Sequence, residues 1–293
     1  MTVAEGVWHQ IFSFENYGEL LALVRNSLIA GAALGLVGGL AGVFVIMRDL
    51  PFAVHGISEL SFAGASAALL MGVNIVGGSI AGSLVAAGAI GIMGARARDR
   101  NSAIGILMPF GLGLGVLFLA LYKGRAANKF GLLTGQIVAV DTPQMTWLLG
   151  TSALVLVVLA VIWRPLTFAS ADPDVAAARG VPVRGLSFAF MIVLGLTVAL
   201  SVQVVGALLV LTLVVTPAAA AARVTASPVL LPLLSVVFAV LSIEGGILLA
   251  LGSSIPISPY VTTISFSIYA LCRLAGAYRI RRWGDRRPVP QPA

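Results

Sequence analysis

The chain alternates between long runs without any charged residue and short charged segments. The uncharged runs are 26–47, 60–95, 101–122, 142–163, 185–222 and, interrupted only by Glu244, 224–272. A membrane-spanning helix needs about 20 consecutive apolar residues. The three runs of 22 residues hold one span each, and the runs of 36, 38 and 49 residues hold two each. The pattern therefore predicts about nine membrane helices, with eight as the nearest alternative.

Turn residues divide the three longest runs. The expected turns lie at Asn74 with Gly77 and Gly78, at Gln203 with Gly206, and within 252–259. Two prolines in the last of these remove backbone donors and disfavour helix. The segment 130–140 is apolar but too short to span, so we expect a re-entrant or interfacial piece packed against the bundle.

Composition agrees with this pattern. Apolar residues make up 59% of the 293-residue chain and charged residues 10%, against about 25% charged in soluble domains. The mean hydropathy of +1.04 points the same way. The chain is therefore predicted to be an all-α, polytopic membrane protein. Its single cysteine, Cys272, excludes a disulfide framework and a cysteine-rich metal cluster.

The basic residues predict an orientation. With nine spans and an external N-terminus, 14 of the 18 lysines and arginines lie on the cytoplasmic side, as the positive-inside rule requires. We expect residues 1–25 to form a short external segment and not a cleaved signal peptide. Residues 278–293 are then a basic cytoplasmic tail.

Small residues recur every four positions on several predicted helices. The repeats are Gly31, Gly35 and Gly39, then Gly78 and Gly82, then Gly111 and Gly115. This spacing lets helix backbones approach closely in a membrane. It predicts tightly packed helix pairs.

His55 and Glu59 are the first candidate site. They are four residues apart, so on a helix they share one face, about one turn from each other. An imidazole with a carboxylate suits Zn²⁺ or Mn²⁺ better than Mg²⁺. From the residues alone two interpretations are open: a metal-binding pair, or two side chains that hydrogen-bond each other near the cytoplasmic end of a span.

Glu244 is the other acidic residue inside the apolar runs. Ionisable residues in a span are functional candidates because they are costly to bury. No basic residue lies within a helical turn of Glu244. The pattern favours a protonated, structural carboxyl over one that lines a transport pathway.

The segment 165–184 is the longest charged internal loop before the tail. Within it, Asp172 is placed to cap a short helix, Pro173 to be its first residue, and Gly180 to end it in a left-handed conformation. So short a helix is stable only when packed. It is either a docking element for a cytoplasmic subunit or an ordinary interhelical loop.

Nucleotide-binding and hydrolytic motifs are missing from the sequence. Neither of its two lysines, Lys123 and Lys129, follows a glycine, so there is no G-x4-G-K-[ST] motif. No HExxH or GxSxG context occurs either. The chain is therefore not expected to be an enzyme, and ATP-driven transport would require hydrolysis on another polypeptide.

Three segments carry a resemblance to a known family. Residues 23–31 and 38–48 are similar to the first span and basic exit of the metal-specific ABC-3 permeases, which belong to zinc- and manganese-type ABC importers. Residues 205–223 resemble that family's V-G-A-L-L…P-A-A-x-A-R segment, its most specific stretch. The likeness runs nearly end to end.

The resemblance implies one permease domain over residues 1–293, with the bundle of a type II ABC importer, in a prokaryotic cell membrane. It further implies a homodimer, a separate cytoplasmic ATPase subunit that alone binds ATP, and an external solute-binding protein. No cofactor is bound permanently and no nucleic acid is a partner. The cargo is a divalent transition metal, Zn²⁺ ahead of Mn²⁺, with Fe²⁺ third. The residues that would couple to the ATPase are Asp172, Pro173, Asp174, Arg179, Gly180 and Arg184.

Two departures from the family pattern bear on the site. The family usually has G-D-x-L-x-H-A, with Asp and His four apart; here His55 and Glu59 hold those places in exchanged order. Residue type and spacing survive, which favours chelation over a chance polar pair. Ser254, before Pro256, replaces the family's acidic residue in the last external loop, so a pathway role for Ser254 is the weaker expectation.

Two rival functions share most of these features. A permease for a metal chelate, such as a siderophore or cobalamin, predicts a wide pathway with no need for His55 and Glu59. A secondary transporter or membrane enzyme predicts no ATPase partner.

Overall fold

The computed structural model describes residues 24–93, 97–124, 131, 142–251 and 256–284. Within them the chain is helical, and no strand occurs in these ranges. The helices are α1 Arg25–Met47, α2 Pro51–Met71, α3 Ile75–Met93, α4 Ala97–Leu121, α5 Thr142–Ala171, α6 Pro173–Ala178, α7 Val183–Val205, α8 Val210–Val214, α9 Thr216–Val224, α10 Leu230–Leu251 and α11 Ile257–Gly284.

The long helices match the predicted spans. Seven helices in the described part of the chain are long and apolar enough to cross a membrane: α1 to α5, α7 and α10. Helix α11, of 28 residues, is long enough but more polar. The all-helical bundle is confirmed, and these seven spans, with α11 and the broken segment 207–224 as further helical segments in the described ranges, are roughly consistent with the predicted eight or nine.

Helix α2 begins earlier than the uncharged runs indicate. It starts at Pro51, after a turn of only three residues from α1, and ends at Met71, where Gly72 follows with a φ of 69°. Asn74 then caps α3, since its side chain accepts a hydrogen bond from the Gly77 amide at 3.1 Å. A count of uncharged residues places the start of this span at position 60, because it treats the charged residue Glu59 as the end of a loop even though Glu59 is buried.

Helix α1 packs against α10 through its glycine stripe. A Cβ built on Gly35 would lie 2.8 Å from the Val240 side chain, and one on Gly39 would lie 2.7 Å from the Val236 Cα. Helix α2 meets α3 through Gly64, Gly78 and Gly82, and meets α4 through Gly111 and Gly115. The predicted close pairs are confirmed, because at these positions any side chain would occupy the space of the neighbouring helix.

We expect Gly39→Ala to lower the stability of the bundle by about 1–3 kcal/mol, because the added methyl meets helix backbone that cannot move aside. Gly88→Ala on α3 is the matched control, since nothing lies within 4 Å of a Cβ there. That change should leave stability equal or raise it by up to about 1 kcal/mol. Thermal unfolding of the detergent-purified variants measures both, and equal midpoints would contradict the packing account.

The segment after α7 is not the single helix that the sequence predicts. Gly206, with a φ of 88°, ends α7, and a 3-10 turn over Ala207–Leu209 leads into the short α8 and α9. Pro217, at the start of α9, lacks the amide that would continue α8. Ser265 on α11 donates to the Thr212 carbonyl at 3.1 Å, so a neighbouring side chain satisfies part of the interrupted backbone.

Helix α5 runs further than expected. It continues through Pro165 to Ala171, so the first residues of the predicted loop 165–184 are helical. Leu166 and Ala169 are buried in the bundle, and this packing holds the helix together beyond the proline. The non-helical connection begins at Asp172 and is interrupted by α6.

Because neighbouring helices run antiparallel, the helix ends fall into two groups, one at each end of the bundle. The C-terminal ends of α1 and α5 and the N-terminal ends of α2 and α7 meet around one cleft, and α6 lies at this end of the bundle. Arg48, Arg179 and Arg184 are at the α6 end, whereas Arg25 and Lys123 are at the other. The described helices therefore divide these basic residues as the sequence pattern does.

Several expectations fall on positions outside the described residues. These are the external segment before residue 24, nearly all of the short apolar piece 130–140, Ser254, and the basic tail beyond residue 284.

Candidate functional site

Helix α2 carries His55 and Glu59 on one face. The His55 Nε2 atom lies 3.7 Å from the Glu59 Oε1 atom, and the two side chains are 28% and 4% exposed. The two side chains therefore lie together, as the i, i+4 spacing predicts. The imidazole is partly exposed and the carboxylate is buried in the bundle.

Glu59 lies near the middle of α2. It is eight residues beyond Pro51, which places it about 12 Å along a helix of 21 residues. The sequence placed the pair near the end of a span, and the earlier start of α2 moves it inward. A cation held here would be close to halfway along the helix.

The surroundings of Glu59 are closely packed. Gly111 of α4 faces it, since a Cβ at Gly111 would lie 2.9 Å from the Glu59 carbonyl carbon. Among the described residues no hydrogen-bond partner reaches the Glu59 Oε2 atom. A buried carboxylate oxygen without a donor is costly, and a bound cation would compensate it.

Two interactions involve His55. Its backbone carbonyl accepts a hydrogen bond from the Ser58 hydroxyl at 2.8 Å, and its ring faces Glu59. No group of three or more His, Cys, Asp or Glu side chains occurs among the described residues. Within that part of the chain the pair is thus a two-ligand arrangement, suited to an ion that is held briefly and released.

Glu244 lies elsewhere, on α10 beside the first helix. A Cβ on Gly31 would come within 2.8 Å of the Glu244 Oε1 atom, and no hydrogen-bond partner for that oxygen occurs in the described ranges. The contact is with α1, whereas Glu59 faces α4. Ser254, the other pathway candidate, is outside the described residues.

The short helix α6 forms as the sequence predicts. The Asp172 side chain accepts a hydrogen bond from the Val175 amide at 3.0 Å, Pro173 is the first helical residue, and Arg179 follows the last turn. Gly180 then adopts a φ of 82°, the left-handed conformation that favours glycine. The predicted cap, first residue and stop are all confirmed.

One side chain fixes α6 to the bundle. Ala176 is fully buried, whereas Val175 is 45% exposed and Asp174, Arg179 and Arg184 are exposed. The Val181 amide donates to the Ala176 carbonyl at 3.0 Å, which closes the helix end. The apolar side chains of α6 are therefore divided: Ala176 packs inward and Val175 is exposed.

Sequence reasoning missed the contacts made by Arg48. Its Nε donates to the Ser170 hydroxyl at 2.7 Å and its Nη1 to the Ser187 hydroxyl at 3.0 Å. The two serines are separated by α6 and lie on different helices, so only the folded chain brings them together. The available signal was weak: one arginine between two apolar helices, and two serines flanking a loop.

Buried hydroxyls also join α2, α3 and α7. The Ser61 and Ser79 hydroxyls are 2.8 Å apart, and Ser79 donates to the Ala199 carbonyl at 3.4 Å. Ser61 lies on α2, the helix that carries Glu59, and Ser79 on α3, so these hydrogen bonds tie α2 to α3 and α3 to α7. The sequence marks them only as small residues.

Known proteins resemble this chain over most of its length. A family model described as the ABC 3 transport family matches residues 21–275. The "Manganese transport system membrane protein MntC" of Halalkalibacterium halodurans strain C-125 is 27% identical over 249 residues, 85% of each chain. The "High-affinity zinc uptake system membrane protein ZnuB" of Haemophilus influenzae is 26% identical over 253 residues, 86% of this chain and 97% of its own.

A solved structure has the same fold. It is described as "PsaBC from Streptococcus pneumoniae in complex with Fab", superimposes with a TM-score of 0.77 at 25% identity, and aligns over 87% of this chain and 94% of its own.

Proposed function

Because the chain belongs to the ABC 3 transport family, we propose that it is the permease subunit of an importer that moves a divalent transition metal, with His55 and Glu59 holding the ion in passage. The relatives MntC and ZnuB are named for manganese and zinc. Membership of the family gives a multi-pass permease of the cell membrane; the metal, its ligands and the partners are the proposal.

A single observation carries the metal site. Glu59 is buried near the middle of α2, has an oxygen without a hydrogen-bond donor among the described residues, and lies 3.7 Å from an imidazole nitrogen. A pair that merely satisfied itself would sit closer, because hydrogen bonds to a carboxylate are about 2.7–2.9 Å long. The open spacing and the unpaired oxygen support a cation between them.

The donor set favours Zn²⁺ over Mn²⁺. Divalent ions follow the order Mn²⁺, Fe²⁺, then Zn²⁺ in increasing affinity for nitrogen and oxygen ligands, and imidazole suits zinc. On this ground we place Zn²⁺ first as cargo; Mn²⁺ comes second and Fe²⁺ third because the relatives are named for zinc and manganese.

The proposed partners come from the family and from what the sequence lacks. It has no nucleotide-binding motif, so a separate cytoplasmic ATPase would hydrolyse ATP and an external solute-binding protein would deliver the metal. Two copies of the chain would form the pathway along their interface. The α6 end, rich in arginine, would face the cytoplasm under the positive-inside rule.

Helix α6 is the coupling element in this proposal. Asp172, Pro173 and Gly180 give it shape, and its exposed Asp174, Arg179 and Arg184 offer charged contacts to the ATPase. ATP binding would close the ATPase pair, displace α6, and switch the site on α2 from one side of the membrane to the other.

Reconstitution tests this function. The permease and its ATPase in liposomes, with the solute-binding protein and ATP, should accumulate radioactive zinc against its gradient, and the permease alone should neither accumulate zinc nor hydrolyse ATP. Uphill transport without the ATPase would contradict the proposal. Uptake only of a metal chelate, with none of the free ion, would assign the chain to the chelate permeases.

Competition measures the choice of metal. We expect unlabelled Zn²⁺ to inhibit the uptake of radioactive Mn²⁺ at lower concentration than Mn²⁺ inhibits the uptake of radioactive Zn²⁺, because imidazole strengthens zinc binding more. The uptake assay uses the reconstituted complex with the solute-binding protein, and titration of the purified permease with each ion reports the preference of the permease alone. Stronger inhibition by Mn²⁺ would reverse the assigned order.

A further inference from the structure

Arg48 connects three helices at the α6 end of the bundle. It follows the last residue of α1, and its guanidinium donates to Ser170 on α5 at 2.7 Å and to Ser187 on α7 at 3.0 Å. The same group lies over the Phe190 ring, with its carbon 5.8 Å from the ring centroid. Ser170 in turn donates to the Leu166 carbonyl at 2.6 Å, which ties the contact to the α5 backbone.

The two serines flank the coupling element. Ser170 is two residues before Asp172, the cap of α6, and Ser187 is in the second turn of α7, shortly after α6 ends. Pro173 lines the same cleft of about 380 Å³ as Arg48 and both serines. One side chain therefore bridges α5 and α7, the two helices that flank α6.

On its other side Arg48 is joined to the metal-site helix by a short, closed turn. Only Arg48, Asp49 and Leu50 separate α1 from α2. The Leu50 amide donates to the Val45 carbonyl at 2.9 Å, and Asp49 has a φ of 53°, an unusual conformation for a residue with a side chain. We expect so short a turn, closed by a backbone hydrogen bond, to pass a displacement from α1 to α2.

We propose that Arg48 is a positioning residue that transmits the displacement of α6, through Ser170 and Ser187, to α2 and its His55–Glu59 pair. This inference rests on the proposed function. Arginine fits the role because its planar fork offers separate donors to two acceptors while its face stacks on an aromatic ring. A lysine could reach only one hydroxyl at a time.

The test compares variants of the complete complex, in liposomes with ATP. We expect Arg48→Gln to keep basal ATP hydrolysis but to transport at least tenfold less metal per ATP hydrolysed. Arg48→Lys should recover part of that ratio, since it restores one contact. The control is Arg164→Gln, which removes an exposed arginine from α5, the helix that carries Ser170; its ratio should equal that of the wild type.

The serine pair gives a second, independent reading. Ser170→Ala combined with Ser187→Ala removes both acceptors and keeps the arginine, so it should lower metal transported per ATP as Arg48→Gln does. The triple variant should be no worse than either, because the changes break the same connection. If Arg48→Gln fails to assemble with the ATPase, the serine double variant decides alone.

The outcomes separate the two proposals. A wild-type complex that moves no metal contradicts the proposed function. A wild-type complex that transports, with an unchanged ratio in Arg48→Gln or in the serine double variant, contradicts only the role of Arg48. Effects of arginine and serine changes that add in the triple variant would also overturn it.

Discussion

Glu59→Gln is expected to abolish metal uptake by the reconstituted complex while leaving the amount of permease in the membrane unchanged. The amide keeps the size of the side chain but removes its charge, so a dication loses a ligand that the imidazole alone cannot replace. Disturbing even an outer-shell partner of a metal costs about 10- to 100-fold in affinity, and losing one of two ligands should cost at least that. Radioactive zinc uptake and zinc titration of the purified complex measure the loss.

His55→Ala should give the same phenotype, because it removes the other ligand. Ser66→Ala is the matched control: its hydroxyl is buried on the same helix and has no hydrogen-bond partner among the described residues. Removing a hydroxyl of this kind costs little, so uptake should stay at the wild-type level. Normal accumulation in Glu59→Gln or His55→Ala would remove the metal site from the proposal.

Gly180→Val should uncouple ATP hydrolysis from transport. Gly180 ends α6 at a φ of 82°, and a side chain in the left-handed region costs about 1–2 kcal/mol, more when it is β-branched. That cost lowers the population of the wild-type loop geometry roughly 5- to 30-fold. We expect metal-stimulated ATP hydrolysis to fall by a similar factor, measured on the purified complex with and without zinc.

Gly185 supplies the control for this prediction. A Cβ at Gly180 meets nothing within 4 Å, and one at Gly185 meets only the Pro182 side chain at 4.0 Å, so neither position is crowded. Gly185 lies in the first turn of α7, where its φ is not positive. Gly180→Ala should therefore lower stimulated hydrolysis and Gly185→Ala should not. Equal behaviour of the two would show that the conformation of Gly180 does not matter for coupling.

Local features of this protein could be predicted from the sequence because each depends on neighbours along the chain. The cap at Asp172, the proline start at Pro173 and the left-handed stop at Gly180 follow from backbone geometry. A closely packed face of α1 is predicted by the spacing of Gly31, Gly35 and Gly39, and α10 packs on that face. The spacing of His55 and Glu59 predicts that they share a helix face, but it does not predict where either residue lies in the bundle.

Three features escaped sequence reasoning because distant segments decide them. Glu59 lies well inside α2 because that helix begins at Pro51 and α4 packs over it at Gly111, whereas a count of uncharged residues stops at its carboxylate. Helix α5 continues past Pro165 because Leu166 and Ala169 are buried. The break between α8 and α9 is stabilised by Ser265, more than 40 residues away in sequence.

The sequence alone determined that this is a membrane protein, with about nine helical segments and a capped helix at Asp172. These features depend on hydrophobicity and backbone preference, which act locally and repeat with the helical period. Tertiary structure alone decided how deep the carboxylate of Glu59 lies, that its Oε2 atom meets no donor among the described residues, and that Arg48 joins Ser170 to Ser187. Those outcomes depend on which helix surfaces meet, and the order of residues does not specify which segments far apart in the chain pack against each other.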